Sequence, residues 1–186
     1  MTLLRLAPAP DPATTLIEPE PGRARLTTAP RPTPEQLRLF VDLPTAVPDP
    51  PGPTGIRRRN PRLQGEIGLS DAIAFFGRRG FTVSVPLADN QAYDLLVELD
   101  GLVCRVQVKT TTSARRVGVW KVQLATRGGN RSFHTQKAFD PDAVDILFVL
   151  ADDGGRWVIP SVEIDARTSL LLYRRYDPYR VGSGAP

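Results

Sequence analysis

Asp94, Gln107 and Lys109, with Glu66 upstream, are the residues whose types and spacing could do chemistry. They fall in two apolar runs of strand length, Tyr93 to Leu99 and Leu102 to Lys109, joined at Asp100-Gly101. An Asp-Gly between such runs predicts a β-hairpin over about 92–110. Alternation along the second run puts Gln107 and Lys109 on one face. Aspartate is depleted in strands, so Asp94 is either an exposed edge position or a ligand. A hard cation such as Mg²⁺ takes oxygen ligands, usually one or two protein carboxylates and waters. Asp94 offers a carboxylate, Gln107 a neutral carbonyl oxygen, and the Val108 backbone carbonyl is a further candidate. Lys109 beside them would orient a water or steady negative charge on a phosphate. The alternative for Gln107-Val108-Lys109 is a polar strand face ending at the surface.

Positioning these groups requires a helix before the hairpin and strands after it. Leu69, Ile73 and Phe76 recur at helical spacing, and Arg78-Arg79-Gly80 reads as a basic last turn with a glycine stop. Glu66 is expected on the same face as that stripe, toward the sheet. A carboxylate there is costly unless paired or bound to a cation. The competing account is a glutamate favoured by the helix dipole or lying at the rim. Phe81 to Leu87 alternates as a strand, followed by turn signals at Asp89-Asn90. Val117 to Ala125 reads as another strand, and Thr126 to Ala138 as a polar, basic loop. Val144 to Leu150 is strongly apolar and predicts a central strand covered on both sides. Arg156 to Ile159, a short helix from Pro160, and a strand over Ser169 to Tyr173 complete the pattern. The expected class is α/β, a mixed β-sheet flanked by helices.

Fourteen of the 19 prolines precede Gln64. So much proline interrupts backbone ladders and leaves little to bury, which predicts a disordered arm over residues 1 to about 60. The domain is then expected over 61–176, with a flexible tail at 177–186. Within the arm, Pro34 to Leu43 has the makings of a helical turn or two. It either docks its apolar residues on the domain or a partner, or fluctuates as a stub.

The 186 residues carry a net charge of +4, which permits a phosphate-rich partner without demanding one. Arg57-Arg58-Arg59 is the densest basic run, either an arm gripping DNA or a solvated linker end. Arg115, Arg116, Arg127, Arg131 and Lys137 are placed to meet phosphates or simply to be solvated. A lone cysteine, Cys104, excludes an internal disulfide and suggests a buried thiol in a reducing cytosol, so a cytoplasmic location is expected. No apolar run reaches the roughly 18 residues of a membrane span, and no secretory signal is evident. His134 is the single histidine, so a zinc site has no support. Asp145 is expected to pair an arginine, and Trp120 and Trp157 to pack in the core.

Glu66, Tyr93-Asp94-Leu95-Leu96-Val97 and Arg105-Val106-Gln107-Val108-Lys109-Thr110-Thr111 together resemble the PD-(D/E)XK nuclease superfamily. More narrowly the chain is similar to the group I intron-associated PD-(D/E)XK endonucleases, which carry glutamine at the position of Gln107. Val144 to Val149 and Trp157 to Pro160 extend the likeness, which spans about residues 64–165. It implies a restriction-endonuclease-like fold and Mg²⁺-dependent hydrolysis of DNA phosphodiesters, with Mn²⁺ as a substitute. Asp94 and Gln107 would be metal ligands, Glu66 would act through the metal or a water, and Lys109 would be catalytic. Tyr93 stands where the superfamily pattern has proline, and Gln107 removes a negative charge from the metal site. A double-strand break would call for a homodimer or higher oligomer. Alternatives are a Holliday-junction or structure-selective resolvase, a DNA-binding module with a decayed site, and an interaction domain recruited through 34–43.

Overall fold

In the computed structural model, residues 31–42, 49–57, 60–88, 91–127 and 136–181 are described, all within a compact unit that begins at Arg31. The helices are α1 (Pro34–Asp42) and α2 (Pro61–Arg78). The first strands are β1 (Thr82–Ser84), β2 (Leu95–Leu99), β3 (Leu102–Thr111), β4 (Ala114–Arg116) and β5 (Val119–Gln123). They are followed by β6 (Thr126–Arg127), β7 (Gln136–Lys137), β8 (Ile146–Ala151), β9 (Arg156–Pro160), β10 (Ser169–Leu172) and β11 (Arg180–Val181). Among the described residues the strands form a six-stranded sheet in the order β1-β2-β3-β8-β9-β11, a three-stranded sheet β10-β5-β4, and the short pair β6-β7.

The predicted hairpin forms. Leu95 pairs with Val106 and Leu99 with Leu102, so Asp100 and Gly101 alone make the turn. Both have positive φ, 51° and 79°, the backbone that a two-residue hairpin needs and that Asp-Gly accepts at low cost. Beside it, β3 and β8 run parallel, the one parallel pairing among the described ladders of this mixed sheet. All six residues of β8 are buried, as its apolar run predicted. The start of the β3–β8 register is pinned electrostatically. Arg105 donates from Nε (3.0 Å) and Nη2 (2.8 Å) to the two Asp145 carboxylate oxygens, and Asp145 N–H returns a bond to Arg105 O at 2.9 Å. This is the structural role expected of Asp145.

The main sheet is covered on both faces. On one lie α2 and a core containing Phe75, Phe76, Val106, Phe148 and Val158. On the other lie the β10-β5-β4 sheet and a core of Val122, Leu147, Val149, Trp157 and Ile159. Helix α2 approaches the sheet closely because its contact face uses small residues. A Cβ on Gly68 would stand 2.4 Å from Thr110 Cγ2. Asn60 caps the helix by accepting the Arg62 N–H at 2.9 Å, with Pro61 at its first position. The buried Arg156 and the partly buried Asp71 form a two-pronged ion pair at 2.7 Å that ties the helix to β9.

Several expected boundaries shift. The domain does not start near residue 61: Leu37, Phe40 and Ile56 are almost fully buried in the helix-side core. Phe40 stacks on Phe81 with ring centroids 4.8 Å apart. Helix α1 is closed by a reciprocal cap, Thr33 N–H to Gln36 Oε1 at 2.8 Å and Gln36 N–H to Thr33 Oγ1 at 3.2 Å. Residues 49–57 also belong to the fold, since Asp49 pairs with Arg79 and Arg78. The expected arm over residues 1–30 falls outside the described residues. At the other end, the expected flexible tail is part of the sheet as far as Val181, which pairs with Arg156 and is buried. The strand expected over 81–87 is only three residues long. That expected over 117–125 divides into a hairpin, with Val117 and Gly118 as its turn.

Candidate active site

Alternation along β3 separates its side chains between the two layers. Cys104, Val106 and Val108 face α2. Arg105, Gln107 and Lys109 face the other way, with Gln107 in register with Leu147 and Lys109 with Val149. The predicted common face of Gln107 and Lys109 is therefore realised. It looks into the space between the main sheet and the β10-β5-β4 sheet.

Asp94 lies just before β2 and extends its ladder by one bond, N–H to Val106 O at 2.8 Å. Two residues further on, β3 has outrun β2, and the Asp94 side chain replaces the missing strand. Its Oδ2 accepts the Val108 N–H at 2.7 Å. The N–H and C=O of one extended residue point to the same side, so the Val108 carbonyl shares the edge that Asp94 closes. Asp94, Val108, Gln107 and Lys109 are thus brought together at the open end of the hairpin.

Gln107 is the most informative of them. Its Nε2 donates to Ala92 O at 3.2 Å, and its Oε1 is buried without a hydrogen-bond partner. The backbone carbonyl can only accept, which fixes the amide so that the oxygen is the orphan. A buried acceptor left unpaired costs about 1–3 kcal/mol. Such an oxygen has the character of a cation ligand. Lys109 is half-buried, and burial pushes its pKa below the ordinary lysine value, while the Asp94 charge pulls it back up. Ala92 was invisible in the sequence as a site residue because it acts through its backbone, for which no side chain gives a signal.

Glu66 departs from expectation. It does not face the sheet: its side chain is 56% exposed and pairs with Arg62 at 3.4 Å. The contact face of α2 is set by Gly68, Ala72, Phe75 and Phe76, and two residues put Glu66 about 200° round the helix from Gly68. The large residues Leu69 and Ile73, expected on the sheet-facing stripe, lie on its flank and are half-buried. Glu66 lines an open groove with Pro53, Leu63, Ile67, Ser70, Asp71 and Ala74. It belongs to the helix layer, on the other side of the sheet from Gln107 and Lys109.

Among the expected DNA contacts, Arg115 and Arg116 are exposed on β4, and Lys137 is exposed on β7. Arg57 is exposed, with its N–H bonded to Asp152 Oδ1 at 3.2 Å and its guanidinium reaching Thr112 O at 3.4 Å. Arg58, Arg59, Arg131 and His134 lie outside the described residues, as does the Arg127 side chain. No group of three or more His, Cys, Asp or Glu residues able to hold a metal occurs among the described residues. Among the described residues no helix is long and apolar enough to cross a membrane.

The hairpin, the acid at its open end and the lysine two residues beyond the glutamine agree with the comparison to known families. A family model described as PD-(D/E)XK endonuclease matches residues 59–172. The chain belongs to the PD-(D/E)XK endonuclease family. Nucleases of this family generally use divalent metal ions, and the unpaired Gln107 oxygen beside Asp94 fits that requirement. Among solved structures the chain is similar to a bacterial homing endonuclease, I-Ssp6803I. Identity is 24%, with 64% of this chain and 87% of that one covered at a TM-score of 0.55, a likeness of fold. No curated protein matches the chain. For this PD-(D/E)XK endonuclease the restriction-endonuclease-like architecture expected from the sequence is the observed one, a mixed sheet with helices on one face.

Proposed function

We propose that this chain is a divalent-metal-dependent DNA endonuclease, of homing or restriction type, that uses Mg²⁺ and accepts Mn²⁺. The observation that carries the reading is the buried, partnerless Gln107 Oε1 beside the Asp94 carboxylate and the half-buried Lys109. Asp94, Gln107 Oε1 and the Val108 carbonyl are the groups that would hold the cation. Bound there, the cation would polarise the phosphodiester and acidify a water.

The chain's own residues supply the rest. Ala92 O holds the Gln107 amide so that its oxygen, not its nitrogen, faces the site. The Val108 N–H orients Asp94 through Oδ2. The Lys109 ammonium steadies charge developing on phosphate oxygens; burial lowers its pKa and the Asp94 charge beside it raises it. In the overall reaction the water oxygen bonds to phosphorus, one P–O ester bond breaks, the leaving oxygen takes up a proton to become a hydroxyl, and the water's other proton is released to solvent. Glu66 lies in the helix layer paired with Arg62, so a contribution through the metal or a water would require it to leave that pair and to reach round to the other side of the sheet. Arg57, Arg115, Arg116 and Lys137 are assigned to the DNA, and a double-strand break to a homo-oligomer with two sites.

The test is nicking and linearisation of supercoiled plasmid, together with branched DNA, by wild type and Lys109→Ala. Cutting that needs Mg²⁺ or Mn²⁺, stops in EDTA and is lost in the variant is the expected result. Cutting confined to branched DNA would reassign the enzyme to structure-selective resolution. DNA binding without cutting of either substrate by wild type would replace the enzyme reading with a binding module, for which the neutral Gln107 would be the cause.

A further inference from the structure

We propose that the β4–β5 hairpin is a sequence-reading element, with Arg115 and Arg116 addressing base edges in the DNA groove next to the cut. The proposal rests on the endonuclease reading above and goes beyond it, because phosphate contacts alone give no sequence preference.

The hairpin is mounted on the catalytic strand itself. Only Thr112 and Ser113 separate β3 from β4. Two bonds tie its base to the end of β3, Thr111 Oγ1–H to Lys121 O at 2.5 Å and Ser113 N–H to Thr111 Oγ1 at 3.2 Å, and a third, Lys121 N–H to Ser113 O at 2.9 Å, closes the base of the hairpin itself. On its inner side, Val122 is fully buried in the second core. Such a mount is rigid enough to carry a recognition group.

Beyond that clamp the hairpin is bare. Residues 114–118 are all exposed, and Val117, at the turn closed by Gly118 (φ 71°), is 100% exposed. The Arg115 and Arg116 side chains make no ion pair or hydrogen bond among the described residues, whereas those of Arg79, Arg105 and Arg156 are each held by a carboxylate. No acid occurs between Ser113 and Gln123 to neutralise them. The ladder also shifts here: Ala114 pairs with Trp120 and Arg116 with Val119, leaving Arg115 as an extra residue. A bulge breaks the alternation that would send consecutive side chains to opposite faces, and it re-aims them.

Two unpaired guanidiniums at a bulge, with an apolar tip, suit a base-reading ribbon better than a phosphate grip. A two-stranded ribbon fits the major groove, which is about 12 Å wide. Arginine forks onto the two acceptors of guanine, and an apolar tip such as Val117 meets a thymine methyl. Arg115 is six residues along the chain from Lys109, so chain length limits the separation of their backbones to about 20 Å. The bases read therefore lie within about one helical turn of the bond that is cut.

The experiment uses the full chain in a Lys109→Ala background, so that DNA is bound and not cut, with duplexes of randomised sequence. Arg115→Ala and Arg116→Ala are compared with this parent by bound-fraction sequencing and by the salt dependence of affinity. Both side chains are solvent-exposed, and an unchanged Tm verifies that the fold is retained. The expected result is a parental preference that flattens about 10- to 100-fold at one or two positions in a variant, with little change in the log–log salt slope. Four outcomes would overturn the proposal. A uniform loss across sequences, with the slope reduced by about one, would make the arginines phosphate contacts. No change in either readout would make the hairpin a solvated face. Parental binding without any preference would mean that nothing is read. A parent that binds no duplex at all would defeat the endonuclease reading itself.

Discussion

Replacing Gln107 by leucine separates a cation ligand from an ordinary buried amide. In the metal-free fold the substitution removes one long hydrogen bond, Nε2 to Ala92 O at 3.2 Å, worth about 0.5–1.5 kcal/mol net. It also removes the buried, unpaired Oε1, whose burial costs about 1–3 kcal/mol. Leucine fills a similar volume, so no large cavity term enters. The balance predicts that Gln107→Leu leaves metal-free stability unchanged or raises it by up to about 2 kcal/mol. For a chain of this size that is a Tm rise of up to about 4–8 °C. With Mg²⁺ at a hundredfold excess over its dissociation constant, wild type gains about 2.7 kcal/mol by linkage and the variant gains nothing. Gln107→Glu moves the other way: its carboxylate opposes the Ala92 carbonyl, so metal-free stability falls and cation dependence steepens. Calorimetry of the three proteins in EDTA and in Mg²⁺ reads all of this. The reasoning fails if Gln107→Leu loses about 2–3 kcal/mol in EDTA while Mg²⁺ raises both Tm values equally.

Lys109→Met is expected to stabilise the fold at neutral pH. Burial holds the lysine below its ordinary value of 10.5, so between the two values the unfolded chain binds more protons and stability rises with pH. The gain from methionine is therefore full below that window and shrinks as pH climbs through it. Urea midpoints of both proteins across this range check the sign, and a gain that grows with pH contradicts it. Asp71→Ala strands the buried Arg156 guanidinium and is expected to cost about 3–5 kcal/mol by urea unfolding. A change within about 0.5 kcal/mol would mean that the pair is solvated. Phe40→Ala removes a ring buried against Phe81 and is expected to cost about 3–5 kcal/mol in the same assay. A much smaller loss would return α1 to the status of a loose arm.

The hairpin was legible because every signal for it is local. Asp100-Gly101 fixes a two-residue turn, the turn fixes the register, and strict alternation then fixes which β3 side chains share a face. The central strand β8 was legible for a similar reason: an unbroken apolar run has only a doubly covered position open to it. Helix α1 carried a local signal that proline density masked, the Thr33-Gln36 capping box with Pro34 at the first helical position. Its docking on Phe81 was not local, because Leu37 and Phe40 become core only where the rest of the chain offers them a surface.

The sequence by itself determined the chemistry available, the glutamine and lysine two residues apart on one strand face and an aspartate on its neighbour, since strand period and turn type depend on few residues. It also carried enough of the family pattern to indicate the architecture. Tertiary structure alone decided the phase of α2. Gly68 and Ala72, which contribute little to an apolar stripe, allow the closest approach to β3 and so turn Glu66 outward. It alone decided that the Gln107 oxygen would be buried without a partner, because the Ala92 carbonyl that orients the amide lies fifteen residues away and acts through backbone. Packing selects faces by shape, and it pairs polar atoms across distances that side-chain spacing does not encode.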